Sequence, residues 1–170
     1  MNSKNIVLIG FMGSGKSSTA RALARMLKRE VFSSDERIIE REERLIAQIF
    51  LIKGEVYFRE LERKVIGEIS QKINIIIDCG GGVIKDSANI ADLKKNGILI
   101  YLKTSPEWIY QRTKDNKARP LLNVEDPMIH IRRLLKEREP MYQSAANFSV
   151  ETDAKKPEEV AQEIIRILKL

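Results

Sequence analysis

Cysteine is almost absent from the 170-residue chain: Cys79 stands alone and cannot form an internal disulfide. Histidine is as scarce. His130, in "PMIHIRRLLKE", has no cysteine or second histidine near it, which argues against a metal site of the zinc type and for a structural or surface role. Long apolar runs are missing too; "INIII" and "GILIYL" fall far short of the roughly 20 residues a membrane-spanning helix needs, so no membrane partner is expected. No basic leader with an apolar core precedes the first strand, and with one thiol a reducing cytoplasm is the expected setting. Internal repeats, low-complexity tracts and linkers are also lacking. One compact domain over residues 1–170 is expected, as a monomer.

Charge, by contrast, is plentiful. Lys and Arg outnumber Asp and Glu 30 to 24, for a formal charge of +6, so anionic partners are indicated. Basic residues are interleaved with acidic ones in "DERIIEREER", and no basic stripe with interspersed aromatics occurs; small anions rather than nucleic acid are the expected partners.

Short β-branched runs alternate with helical spacing. "NIVLI", "EVF", "INIIID", "GILIYL" and "NFSVE" read as strands without clean in-out alternation, the pattern of a mostly parallel α/β sheet buried on both faces. Helices are predicted at about 16–28, 35–52, 55–72, 87–95, 105–114, 127–144 and 157–168. The polar, proline-marked stretch "TKDNKARPLLNVEDP" reads as a loop able to close over a site.

Gly10, Gly15, Lys16 and Ser17 satisfy GxxxxGK[ST], between a strand and a helix as that motif requires. Its glycines turn backbone N–H groups toward phosphate oxygens and the helix directs its positive end at them; Lys16 is placed for the β- and γ-phosphates and Ser17 for Mg²⁺. The competing interpretation is a glycine-rich turn with no ligand. A nucleoside triphosphate is the expected anion, and the small size and the lack of a base-reading NKxD motif favour a small kinase over a switch.

Acceptor candidates follow. Asp35, just past the second strand, is positioned to orient a hydroxyl and take its proton, or to cap a helix. Arg59 and Arg138 offer forks suited to a carboxylate, although a lone arginine is more often a surface one. Gly80, Gly81 and Gly82 at a strand end permit close approach of a ligand, or simply a tight turn. Arg119 in the loop could bring charge to the transferring phosphoryl group, and Arg112 could stack on the adenine.

In order and spacing, "GFMGSGKSS", "SDERIIE", "IF" followed by "GEVYFRELE", "GGGV", "RPLL" and "REPMY" make the chain resemble the shikimate kinase family, small P-loop proteins of the nucleoside-monophosphate-kinase-like type. The resemblance implies a three-layer fold with a five-stranded parallel sheet flanked by helices, a mobile lid over 112–126 and a shikimate-binding subdomain over 34–61. It implies ATP and Mg²⁺ as cofactors and phosphorylation of the shikimate 3-hydroxyl within aromatic amino-acid biosynthesis. Residue by residue, Asp35 is the base; Arg59 and Arg138 hold the carboxylate; Gly80, Gly81 and Gly82 contact the ring. Gly13, Ser14, Gly15, Lys16, Ser17 and Ser18 cradle ATP, Ser17 binds the metal, Arg119 bridges the phosphates, and Arg112 and Lys155 flank the adenine. A gluconate-type kinase, a catalytically impaired nucleotide-binding module and a nucleic-acid-linked ATPase are the competing readings.

The chain departs from the family pattern at three places. Ser33 stands at the first position of an Asp-x-Asp pair, and Cys79 where Thr or Ser precedes the three glycines, two changes expected to re-tune Mg²⁺ binding. Asp78 is not taken to substitute, because adjacent strand residues point to opposite faces. Glu42 and Glu43 replace a Thr-Gly pair, which predicts a more continuous helix there.

Overall fold

The structure, a computed structural model, describes residues 3–114 and 126–170. Strands β1 (Asn5–Ile9), β2 (Val31–Ser33), β3 (Ile76–Asp78), β4 (Gly97–Lys103) and β5 (Phe148–Glu151) form one parallel sheet in the order β2-β3-β1-β4-β5. Helices α1 (Lys16–Leu27) and α7 (Pro157–Leu168) cover one face. On the other lie α2 (Ser34–Glu42), α3 (Ile46–Ile69), α4 (Ser87–Asn96), α5 (Pro106–Thr113) and α6 (Pro127–Ala145).

Strand alternation separates two cores, as a sheet buried on both faces requires. Ile6, Leu8, Ile76, Ile100, Leu102 and Val150 meet α1 and α7 through Ala20, Leu23, Val160 and Ile164. Val7, Ile9, Phe32, Ile77, Leu99 and Tyr101 face the second core with Phe58, Ile66, Ile109, Ile131 and Tyr142.

Local signals explain the element starts. Ser105 accepts from Trp108 N–H ahead of Pro106 at the first position of α5, and Pro157 opens α7 with Glu159 reaching back to the Lys156 N–H. Strand β3 is shorter than predicted because Asn74 turns with a φ of 60°. The largest difference lies in the predicted helix 35–52. It ends at Glu43, which adopts a left-handed conformation with φ 50°, and α3 starts afresh at Ile46 and kinks at Gly54. Tertiary contacts fix the break: Glu42 takes hydrogen bonds from Tyr57 Oη at 2.8 Å and Lys53 Nζ at 3.0 Å, so α3 folds back over the end of α2. Among the described residues no helix is long and apolar enough to cross a membrane. Of the expected lid over 112–126, residues 115–125 lie outside the described residues.

Candidate active site

In an open parallel sheet, ligands bind beyond the carboxyl ends of the strands. Here the ends of β2, β3 and β1 stand side by side, carrying respectively Ser34 and Asp35, the turn Gly80–Gly82, and the loop 10–15.

The loop from β1 has the backbone its sequence demands. Gly10, Gly13 and Gly15 take φ values of 148°, 79° and 90°, and Gly15 begins α1 without a side-chain cap, leaving the first-turn N–H groups of the helix facing outward. Lys16 folds back to donate to the carbonyls of Gly10 at 2.9 Å and Phe11 at 3.0 Å. Buried Ser14 has no hydrogen-bond partner for its hydroxyl among the described residues, while Ser17 is exposed and Ser18 lies beside Arg21. Arg112 grips this loop from α5: it donates to Gly13 O at 3.3 Å and to Thr152 Oγ1 and O at 3.0 and 2.6 Å, with its guanidinium 5.4 Å from the Trp108 ring centroid. Lys155, three residues beyond Thr152, pairs with Glu163 at 2.6 Å.

The triglycine turn gathers the acceptor candidates. A methyl group on Gly80 would lie 2.5 Å from Asp35 Oδ1 and 3.3 Å from Glu62 Oε1; on Gly81 it would meet Met12 N at 3.4 Å and Gly10 O at 3.5 Å; on Gly82 it would collide with the Arg59 guanidinium. The turn therefore packs against the P-loop on one side and the acidic and basic side chains on the other. Ser34 fastens it by accepting from Gly80 N–H at 2.9 Å, and Tyr142 donates to Gly81 O. Arg138 is buried, lies close enough to Tyr142 to lower its phenol pKa against the effect of burial, sits 5.7 Å from the Phe11 ring centroid and has no partner for its Nε among the described residues. Arg59 pairs with Glu62 at 2.6 Å and with Glu55 at 3.2 Å. Asp35 sits in the first turn of α2, whose cap is Ser33, accepting from Glu36 N–H; Asp35 is not the cap.

Two residues of this cluster went unmarked in the sequence. Glu62 is fully buried; burial pushes its carboxyl above the usual range, Arg59 opposes that shift, and Asp35 adds to it. Burial likewise pushes the Tyr142 phenol up, and its ring stacks on Tyr101 at 5.1 Å.

Strand alternation also reverses one expectation. Asp78 shares the α1 face with Leu8 and Ile76, whereas Cys79 is buried in the opposite core. The residue on the face that carries α1 is therefore Asp78, not the cysteine. Burial pushes the Asp78 carboxyl above the usual range, against the pull of Lys16, the nearby Ser17 hydroxyl and Arg21.

A family model described as shikimate kinase matches residues 12–169. The chain belongs to the shikimate kinase family. It is 47% identical over 165 residues to the shikimate kinase of Legionella pneumophila (strain Corby), covering 97% of this chain and 94% of that one. With the shikimate kinase of Hahella chejuensis it shares 42% over 166 residues, 98% of this chain and 86% of the relative. Among solved structures, shikimate kinase from Acinetobacter baumannii in complex with shikimate superposes with a TM-score of 0.94 at 39% identity, covering 98% of this chain and 93% of that one. The five-stranded parallel sheet and its flanking helices are those expected of this family of kinases. Arg119, expected to bridge phosphates, lies outside the described residues.

Proposed function

We propose that the chain transfers the γ-phosphoryl group of ATP to the 3-hydroxyl of shikimate, giving shikimate 3-phosphate and ADP. The observation that carries this reading is the packing of the triglycine turn, which sets Asp35, Arg59 and Arg138 directly beside the P-loop. A phosphate cradle thus adjoins a cluster bearing the carboxylates of Asp35 and Glu62 and the guanidiniums of Arg59 and Arg138. Family membership and the shikimate-bound neighbour favour the acceptor named.

The residues divide the work as follows. Uncapped N–H groups at the start of α1 and the Lys16 ammonium hold the phosphates. Arg112 and Lys155 border the β5–α7 loop and the P-loop, where the adenine is proposed to lie. Arg138, with an open Nε donor, and Arg59 hold the acceptor carboxylate. The acceptor oxygen bonds to the γ-phosphorus as the bond to the bridging oxygen breaks, and its proton passes to Asp35. Little covalent help is needed, since phosphoryl transfer depends chiefly on alignment and charge stabilisation. Mg²⁺, when bound, neutralises charge on the β- and γ-oxygens; the exposed Ser17 hydroxyl is the hard oxygen donor suited to it. Residues 34–61 form the acceptor subdomain.

The test is ADP release from ATP and Mg²⁺ with shikimate, gluconate or no acceptor at matched concentrations. Strong stimulation by shikimate alone is expected. Stimulation by gluconate instead replaces the acceptor, and nucleotide binding with no stimulation by either acceptor rejects the kinase reading in favour of a binding module.

A further inference from the structure

Ser33 and Asp78 stand opposite each other on neighbouring parallel strands, in register, on the sheet face that carries α1. Ser33 offers only a hydroxyl, and that hydroxyl is occupied in capping α2. The other strand positions packed on this face include Ile6, Leu8, Val31, Ile76, Ile98, Ile100, Leu102 and Val150, so Asp78 is the one carboxylate among its described strand residues. A buried carboxylate is costly unless it is paired. The polar groups that act on it are Lys16 and Ser17, both from the P-loop, and Arg21 of α1, and Ser17 is exposed to solvent.

We infer that Asp78 supplies, from the neighbouring strand, the carboxylate that Ser33 lacks for the Mg²⁺ brought in with the nucleotide. The donor chemistry fits: a P-loop hydroxyl and a strand-end carboxylate are both hard oxygens, and P-loop proteins hold Mg²⁺ with such a pair, phosphates and water completing the shell. No cluster of three or more acidic or histidine ligands is gathered among the described residues, and a nucleotide-borne Mg²⁺ needs none. The carboxylate has moved sideways by one strand while keeping its face and its height in the sheet. This inference rests on the nucleotide and Mg²⁺ reading above.

Its rival is a structural role, in which Asp78 only steadies Lys16 and Ser17. Two binding measurements on the full chain separate them: Mn²⁺ affinity of the protein–ADP complex, from the electron paramagnetic resonance of free Mn²⁺, and ADP affinity without metal, from calorimetry. Asp78→Asn should lower Mn²⁺ affinity about 10- to 100-fold, the range for losing a supporting carboxylate, while metal-free ADP affinity stays within about threefold of wild type. Exchanging the two side chains, in Ser33→Asp/Asp78→Ser, should keep Mn²⁺ affinity within about threefold; Asp also caps α2 well, so this variant carries the test if Asp78→Asn folds poorly. Mn²⁺ affinity in Asp78→Asn less than about threefold below wild type overturns the inference. Equal losses of ADP affinity with and without metal do so as well, as does an exchange variant as weak as Asp78→Asn. Wild-type protein that binds ADP identically with and without Mn²⁺ overturns it together with the Mg²⁺ reading, whereas the acceptor is judged separately by ADP release.

Discussion

Gly82 has φ −98° and ψ 1°, a conformation any residue adopts, yet a methyl group there meets the Arg59 guanidinium. Gly82→Ala should therefore leave stability within about 1 kcal/mol of wild type while displacing Arg59. Its KM for shikimate should rise at least about tenfold with a smaller change in kcat, the pattern of a lost binding contact, and unchanged KM would mean Arg59 does not meet the acceptor. Asp35→Asn belongs to the other pattern: kcat should fall about 10²- to 10⁴-fold with KM for ATP and melting temperature little changed. A kcat within about tenfold of wild type removes Asp35 as the base. Glu62 makes a prediction in pH. Its raised pKa means the folded state binds this proton more tightly than the unfolded chain, so its contribution is favourable below about pH 4, the ordinary carboxylate range, and is lost as pH rises through the raised value. Melting curves should show Glu62→Gln gaining on wild type as pH increases across that window; a constant difference rejects the shift. The P-loop could be read from four residues, but Glu62 was hidden in "RELERK", which resembles a solvated helix face. The available signal was its spacing with Phe58, Val65, Ile66 and Ile69, which sets a carboxylate on the apolar stripe of α3.

Among the elements, the break between α2 and α3 carries the clearest consequence. Glu43 is exposed and left-handed at the end of a helix, a position that suits glycine and disfavours a side chain. Glu43→Gly should stabilise the protein by about 1 kcal/mol, raising the melting temperature about 2–4 °C, since the left-handed strain is relieved and a negative charge leaves the helix C-terminus. A lower melting temperature would show that Glu43 makes compensating contacts. Periodicity could not reveal this break, because residues 35–52 keep helical spacing throughout and the turn is set by Lys53 and Tyr57 closing on Glu42. The elements with local start signals, α5 and α7, were legible to within a residue or two. Element order and strand type were likewise readable from alternating apolar runs, whereas the strand order 2-3-1-4-5 depends on crossovers that no local pattern encodes.

Across the whole molecule, three neighbouring strand ends make one site from segments far apart in sequence: Ser34 bonds Gly80, and Tyr142 bonds Gly81. Its parts should consequently open and close together, and the chain carries its own reporter of that event. Cys79, the sole thiol, is 1% exposed, and burial pushes its pKa well up, so neither access nor thiolate is present in the closed state. It also joins β3 directly to the triglycine turn. Alkylation of the native protein should then be slow and proportional to the population of opened molecules, and shikimate at about 100 times its dissociation constant should slow it about 100-fold. A labelling rate indifferent to shikimate would mean that Cys79 becomes accessible without the acceptor pocket coming apart. A thiol too isolated to form a bridge thus becomes a chemical clock, timing how often the pocket beside it falls open.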